Sequence, residues 1–127
     1  MKKILFITNG LGFGGAEKML AFVANKLSER GNICYIVNLD VAGEYANAKM
    51  QKINDDVIVH VFDNKNAKHK RLSHLKFITR IAKSAAVDII IGFTGFPNFY
   101  ASVVGSLLKI PSIMSERGDP KSTEGKY

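Results

Sequence analysis

The chemistry in this sequence gathers where glycine does. Residues 10 to 17 read Gly-Leu-Gly-Phe-Gly-Gly-Ala-Glu, after the apolar run Ile4 to Ile7 and before the helical run Ala16 to Arg30. A glycine-dense turn between a strand and a helix lets backbone approach a ligand with no Cβ in the way. It also turns the unpaired N–H groups of the first helical turn toward that ligand, and phosphate or pyrophosphate is the natural guest. The run is read here as distinct from the dinucleotide fingerprint, on its glycine spacing. It is not a P-loop, because no Gly-Lys-Ser/Thr closes it. The competing reading is a tight turn packed against the sheet.

Three further places carry reactive or charged side chains. Glu17 falls in the first turn of the helix, where an acid interacts favourably with the dipole by about 0.3–1 kcal/mol and can satisfy an orphan N–H. A substrate role is the other reading. Arg117 and Asp119 flank Gly118 just past an apolar run near the end of the chain. An arginine there can clamp a phosphate or sugar hydroxyl bidentately, or pair with Glu116 or Asp119. Asp119 before Pro120 can instead cap a turn. His60, His69 and His74 show no metal-ligand spacing with an acid or cysteine partner, so no protein-held metal is expected.

Strand and helix patterns alternate along the whole chain and would position these residues. Lys3 to Thr8 reads as a first strand. The next helix sets Met19 or Leu20, Val23, Ala24 and Leu27 on one stripe and leaves Lys18, Lys26, Glu29 and Arg30 toward water. Gly31 supplies its stop, and Asn32 to Leu39 is a second strand. Val57 to Phe62 is a third strand. Lys70 to Ala86 repeats the helical period through Leu75, Ile78, Ala82 and Ala85. Val87 to Phe93, apolar through Ile89, Ile90 and Ile91, has the composition of a central parallel strand. Pro97 opens a helix running to Leu108, and Pro111 to Ser115 is the fifth strand.

The expected fold is therefore α/β: an open, Rossmann-like parallel sheet of about five strands with helices on both faces. Ligands of such sheets collect beyond the strand C-termini, near the switch in strand order. That rim would carry residues 9–15, 40–44, 93–98 and 116–119. Residues 1–115 form the domain, and the polar, glycine-rich stretch 116–127 reads as a loop cut partway through, as in a fragment of a longer chain. A disordered tail is the other reading.

Size and charge narrow the function. The chain has 127 residues, 46% of them hydrophobic, which suits one domain with a real core. The lone Cys34 allows no internal disulfide and sits in a strand-like run, where it packs rather than reacts. Ile4 to Thr8 is too short for a signal-peptide core, and no 18-residue apolar run exists, so the cytoplasm is the expected compartment. The net charge is +7. Lys65, Lys68, Lys70, Arg71, Lys76, Arg80 and Lys83, with His69 and His74, form a block without an acid. Such a block attracts phosphates or anionic lipid, or is simply a solvated helix face. No recognition motif or aromatic stacking pattern accompanies it, so nucleic acid is not an expected partner.

Gly14-Gly15-Ala16-Glu17 after the first strand and Ser115-Glu116-Arg117-Gly118-Asp119-Pro120 after the fifth together resemble the N-terminal domain of retaining glycosyltransferases with the GT-B fold. These are the family 4-like, "group 1" enzymes of bacterial polysaccharide and lipopolysaccharide synthesis. The resemblance covers essentially the whole chain. It implies an acceptor-side domain facing a C-terminal domain, absent from this chain, that holds most of a nucleotide-sugar. It also implies transfer of a hexose from a nucleotide diphosphate-sugar, a UDP-sugar by default, to a glycan or lipid-linked glycan, with no further cofactor.

By the same resemblance, Gly14 and Gly15 lie by the donor pyrophosphate; Glu17 and Asp119, by their positions, are further candidates for donor binding. Arg117 and Thr94 stand nearest the chemistry. Many relatives have a histidine where this chain has Phe93-Thr94-Gly95-Phe96, and Thr94 offers only a hydroxyl there. Close relatives commonly have asparagine where this chain has Gly118. The fragment alone is expected to be inactive, and peripheral attachment to the cytoplasmic face of the inner membrane is expected through the basic block. The alternative is a standalone Rossmann-like phosphate- or ligand-binding or regulatory module.

Overall fold

The computed structural model describes residues 1–9, 15–39, 53–62, 70–93 and 95–115. Five strands alternate with three helices in this order: β1 (Lys3–Thr8), α1 (Gly15–Glu29), β2 (Ile33–Asn38), β3 (Ile58–Val61), α2 (Lys70–Ala85), β4 (Ile89–Phe93), α3 (Gly95–Leu108) and β5 (Ser112–Ser115). The strands form one sheet in the order β3-β2-β1-β4-β5, and every pairing is parallel. Leu5 of β1 stands between Tyr35 of β2 and Ile90 of β4, which fixes the register of the three central strands.

Alternation along the strands divides the core in two, because successive side chains point to opposite faces. Ile4, Phe6, Cys34, Ile36 and Phe93 pack with Leu20, Ala21 and Ala24 of α1, joined by Ile53 and Val57. Leu5, Ile7, Val37, Leu39 and Ile90 pack with Ile78, Ile81 and Ala82 of α2 and Tyr100, Ala101 and Val104 of α3. Helices therefore cover both faces, α1 on one and α2 with α3 on the other, as the strand–helix alternation predicts. Cys34 is fully buried, and burial pushes its thiol above the usual range.

Each helix ends in the same way. The N–H of Gly31 donates to Ser28 O at 3.0 Å and that of Asn32 to Leu27 O at 3.1 Å. Ala86 and Val87 repeat this pair of bonds on Lys83 and Ala82, both at 3.2 Å, and the Ile110 N–H donates to Gly105 O at 2.8 Å. This is the Schellman termination, with a left-handed residue just past the helix. Gly31, at φ 93°, is the stop that the sequence predicts, but Ala86 (φ 53°) and Lys109 (φ 57°) hold the same conformation without glycine. Hence α2 stops at Ala85, one residue short of expectation, because Ala86 has already turned left-handed.

At the other end, α3 begins at Gly95 and not at Pro97. The first four N–H groups of a helix have no intrahelical acceptor, so proline fits anywhere in that turn. The stripe on α1 is turned slightly from expectation. Leu20, Ala21 and Ala24 are buried, Val23 and Leu27 are partly so, and Met19 is exposed. On α2 the correction is larger: His74, expected among the solvated charges, is buried at the helix–sheet interface.

Candidate functional site

The strand order reverses between β1 and β4. From β1 the chain passes through α1 to β2 on one side, and later returns through α2 to β4 on the other. At the C-terminal ends of these two neighbours, α1 begins at Gly15 and α3 at Gly95. Two helix N-termini thus flank the switch point from opposite faces of the sheet, each presenting unpaired N–H groups and the positive end of a dipole. An anion placed there meets favourable charge from both sides.

The α3 side of this rim is fixed tightly. A Cβ on Gly92 would lie 2.5 Å from Pro97 O and 2.8 Å from Asn98 Cα, so only glycine lets the first turn of α3 come this close to β4. Gly95, at φ 53°, makes the turn into the helix. The buried Asn98 then reaches the neighbouring strand end. Its Oδ1 accepts from the Ser115 N–H at 3.1 Å, and its Nδ2 donates to Ser115 O at 3.2 Å. A single amide thereby ties the start of α3 to Ser115, the last residue of β5. On the β1–β2 side, Thr8 and Asn38 are cross-strand partners and both are buried, while the N–H of Leu39 donates to Thr8 O at 2.9 Å.

Behind this edge lies an aromatic cluster between α2 and α3. The Arg71 guanidinium sits 4.4 Å from the centre of the exposed Phe96 ring, which stacks on Tyr100 at 6.0 Å. His74 Nδ1 is 3.0 Å from Tyr100 Oη, a hydrogen bond whose direction depends on the imidazole tautomer, and Phe62 meets the His74 ring edge-on at 4.6 Å. Burial, then the nearby Lys70 charge, push the His74 pKa down. Burial pushes the Tyr100 phenol up, opposed by the Arg71 charge. The ring is thus held neutral as part of the core.

Of the residues singled out from sequence, Gly15 and Glu17 fall in the first turn of α1, at the switch point. Gly14, Thr94, Arg117 and Asp119 lie outside the described residues; Thr94 stands in sequence between the last residue of β4 and the first of α3. Among the described residues, no three of His, Cys, Asp and Glu cluster as a metal site would require, and no helix is long and apolar enough to cross a membrane.

Sequence reasoning passed over Asn98 and Arg71. An amide in the first turn of a helix leaving a central strand was the available signal for the first; nothing local distinguished Arg71 from its basic neighbours. The distinction drawn from the dinucleotide fingerprint does not hold. Gly10, Gly12 and Gly15 do stand at G-x-G-x-x-G spacing, and β1 and α1 supply its strand-then-helix context.

No protein-family model matches the chain, and no curated protein matches it significantly. Solved structures do. MurG of Acinetobacter baumannii aligns with a TM-score of 0.64 and 18% identity over 99% of this chain and 39% of its own. A glycosyltransferase from Rickettsia africae aligns at 0.59 and 18%, over 99% of this chain and 33% of its own. A proposed UDP-N-acetylglucosamine 2-epimerase from Listeria monocytogenes aligns at 0.55 and 18%, over 94% and 32%. The chain thus spans less than two fifths of the length of these proteins. Identities this low show the fold alone: an open five-stranded parallel sheet matching the Rossmann-like N-terminal domain of the GT-B architecture.

Proposed function

We propose that this chain is the acceptor-side, N-terminal domain of a retaining glycosyltransferase. The parent enzyme would move a hexose from a nucleotide diphosphate-sugar, a UDP-sugar by default, to a glycan or lipid-linked glycan in cell-surface polysaccharide synthesis. The observation that carries this reading is the pair of helix N-termini at the β1–β4 switch point, one of them following the glycine-rich sequence 10–15, in a fold shared with a glycosyltransferase from Rickettsia africae. Developing negative charge on a leaving diphosphate is what such preorganised backbone donors stabilise.

In this proposal Gly14 and Gly15 bring backbone against the diphosphate, with Glu17 and Asp119 on the donor side. Arg117 clamps a phosphate or sugar hydroxyl, and Thr94 donates a hydrogen bond near the reacting sugar. The bond from the anomeric carbon to the diphosphate breaks and a bond to the acceptor oxygen forms. The acceptor proton passes to the leaving diphosphate, so no strong side-chain base is required. A facing C-terminal domain of the parent would supply the rest of the donor site, and the chain alone should not turn over. The test is incubation of the full-length parent with radiolabelled UDP-sugars and membrane extract, with labelled glycan or glycolipid as the expected product. Absence of transfer across a broad donor and acceptor panel overturns the reading.

Attachment to an anionic membrane surface belongs to the same proposal. Lys76 and Lys83 stand two helical turns apart on the exposed face of α2, which carries no acid. Each charge near such a surface contributes about 1 kcal/mol and is screened by salt. Cosedimentation with phosphatidylglycerol vesicles at low salt should exceed that with neutral vesicles; equal binding refutes it.

A second reading, a dinucleotide-binding domain, has the fingerprint spacing behind it and Asp40 two residues beyond β2, where an acid could take a ribose hydroxyl. Saturable binding of NAD, with no sugar transfer by the parent, would select it.

A further inference from the structure

Away from the rim, a cavity of about 470 Å³ lies between the C-terminal half of α2 and strands β2 and β3. Phe77, Arg80, Ile81, Ser84 and Ala85 line it from the helix, at the i, i+3, i+4, i+7, i+8 spacing of one face, and Tyr35 and His60 line it from β2 and β3. Its volume lies within the range of small-molecule sites, roughly 300–1,000 Å³. Because α2 runs back toward the strand beginnings, where the Val87 N–H donates to Ala82 O and the Asp88 N–H to Lys3 O, this cavity opens far from the N-termini of α1 and α3.

The lining divides into two kinds of surface. Phe77, Ile81, Ala85 and the Tyr35 ring make an apolar floor beneath the helix. The side chains of Arg80, His60 and Ser84 bring hydrogen-bond donors, and among the described residues these side chains have no ion-pair or hydrogen-bond partner. Among the described residues, no carboxylate lines the cavity. A second surface groove is lined by Phe22, Val23, Lys26, Leu27 and Arg30. It is built from α1 and the residue that follows it, and its Lys26 pairs with Glu29 at 3.8 Å.

We propose that the α2–β2–β3 cavity binds a small amphiphilic anion, an aromatic or short-chain carboxylate. Its apolar body would lie on Phe77, Ile81 and Tyr35, and its charged head would be held by Arg80. The charge complement selects the anion: an unpaired guanidinium with neighbouring donors and no acid favours a carboxylate, and charge-assisted bonds of this kind are about twice as strong as neutral ones. The apolar floor selects the body, since a fully hydrophilic anion would leave it wet. A soluble monomer is the occupant, because the cavity is sized for one small molecule and not for a bilayer surface.

The probe pair is phenylbutyrate and its uncharged counterpart phenylbutanol, titrated into the protein and followed by amide chemical shifts. Saturable shifts clustered at Tyr35, Phe77, Ile81 and Ala85 are expected with phenylbutyrate. R80Q should weaken that binding about tenfold, the size expected of one charge-assisted bond, and should leave the weaker phenylbutanol response unchanged. S84W, a substitution at an exposed helix position, should fill the cavity and abolish both. Matching urea midpoints of the three proteins would show that folding is not the cause. Equal affinity for acid and alcohol, an R80Q titration like that of the parent protein, or shifts scattered over the basic surface would each overturn the proposal. Shifts that require phosphatidylglycerol vesicles would assign Arg80 to membrane contact and overturn it as well.

Discussion

Replacing Asn98 should loosen the rim of the sheet more than its distance from the bulk of the core implies. The side chain is buried and makes two hydrogen bonds to one residue, accepting from the Ser115 N–H and donating to its carbonyl. Each such bond contributes about 0.5–1.5 kcal/mol net, and a buried group left unsatisfied costs more than the bond itself contributes. N98A should therefore cost about 1–3 kcal/mol, and at this chain length about 4 °C of melting temperature per kcal/mol.

N98D separates bonding from packing. It keeps the oxygen facing the Ser115 N–H but sets a second oxygen against the Ser115 carbonyl, 3.2 Å from the present nitrogen. At neutral pH it should be at least as destabilising as N98A, and it should recover toward the N98A value on acidification, as the carboxyl gains a proton to donate. Urea denaturation followed by far-UV circular dichroism, with amide exchange at Ser115, measures both effects. The reasoning is refuted if N98A shifts stability by less than about 0.5 kcal/mol, the scatter of ordinary surface substitutions, or if Ser115 exchange is unchanged.

Four further outcomes are expected. G92A should cost about 1–3 kcal/mol or more in urea denaturation, because the added Cβ meets the Pro97 and Asn98 backbone. A86G and K109G should each stabilise by about 0.5–1 kcal/mol, relieving left-handed strain at φ 53° and 57°; a loss of stability would refute that account of the helix ends. His74, with its folded pKa held below the ordinary histidine value of about 6.5, stays neutral where the unfolded chain protonates, so stability should fall as pH drops below about 6.5 and level off below the folded value. That slope should shrink in H74Q and is measured by urea denaturation across pH. If the proposed function holds, G15V in the full-length parent should cut turnover far more than stability, and equal losses with donor affinity unchanged would assign the glycine to folding alone.

The elements were legible because period and punctuation agreed. β1 is Lys3–Thr8 as read, and Gly31 ends α1 as read. The misreadings share a cause: local pattern does not report tertiary contact. Ala86 turns left-handed with no glycine to announce it, and Pro97 sits inside a first turn that has no bonds for it to break. His74 looked like one more cation in a basic run, and only the packing of Phe62 and Tyr100 around it makes it a core residue. The site was legible as a place and less so as a mechanism. The switch point follows from topology, but the Asn98–Ser115 tie spans seventeen residues and two elements and leaves no periodic trace.

Under the proposed function, the chemistry of the rim calls for a partner domain. Transfer from a diphosphate needs positive charge on both sides of the leaving group, because the charge grows there as the sugar bond breaks. This chain provides backbone dipoles from α1 and α3 and, among the described residues at the front of α2, Lys70 and Arg71. Arg71 is engaged by the Phe96 ring, 4.4 Å from its centre. Dipoles fixed by the fold hold a diphosphate without reorganisation, but they fall off within a turn and are screened by water. An open rim of this kind can bind an anion and cannot, by itself, exclude the solvent that weakens its field. A second surface closing over the switch point would do both, supplying cations to the far side of the diphosphate and removing water from between them.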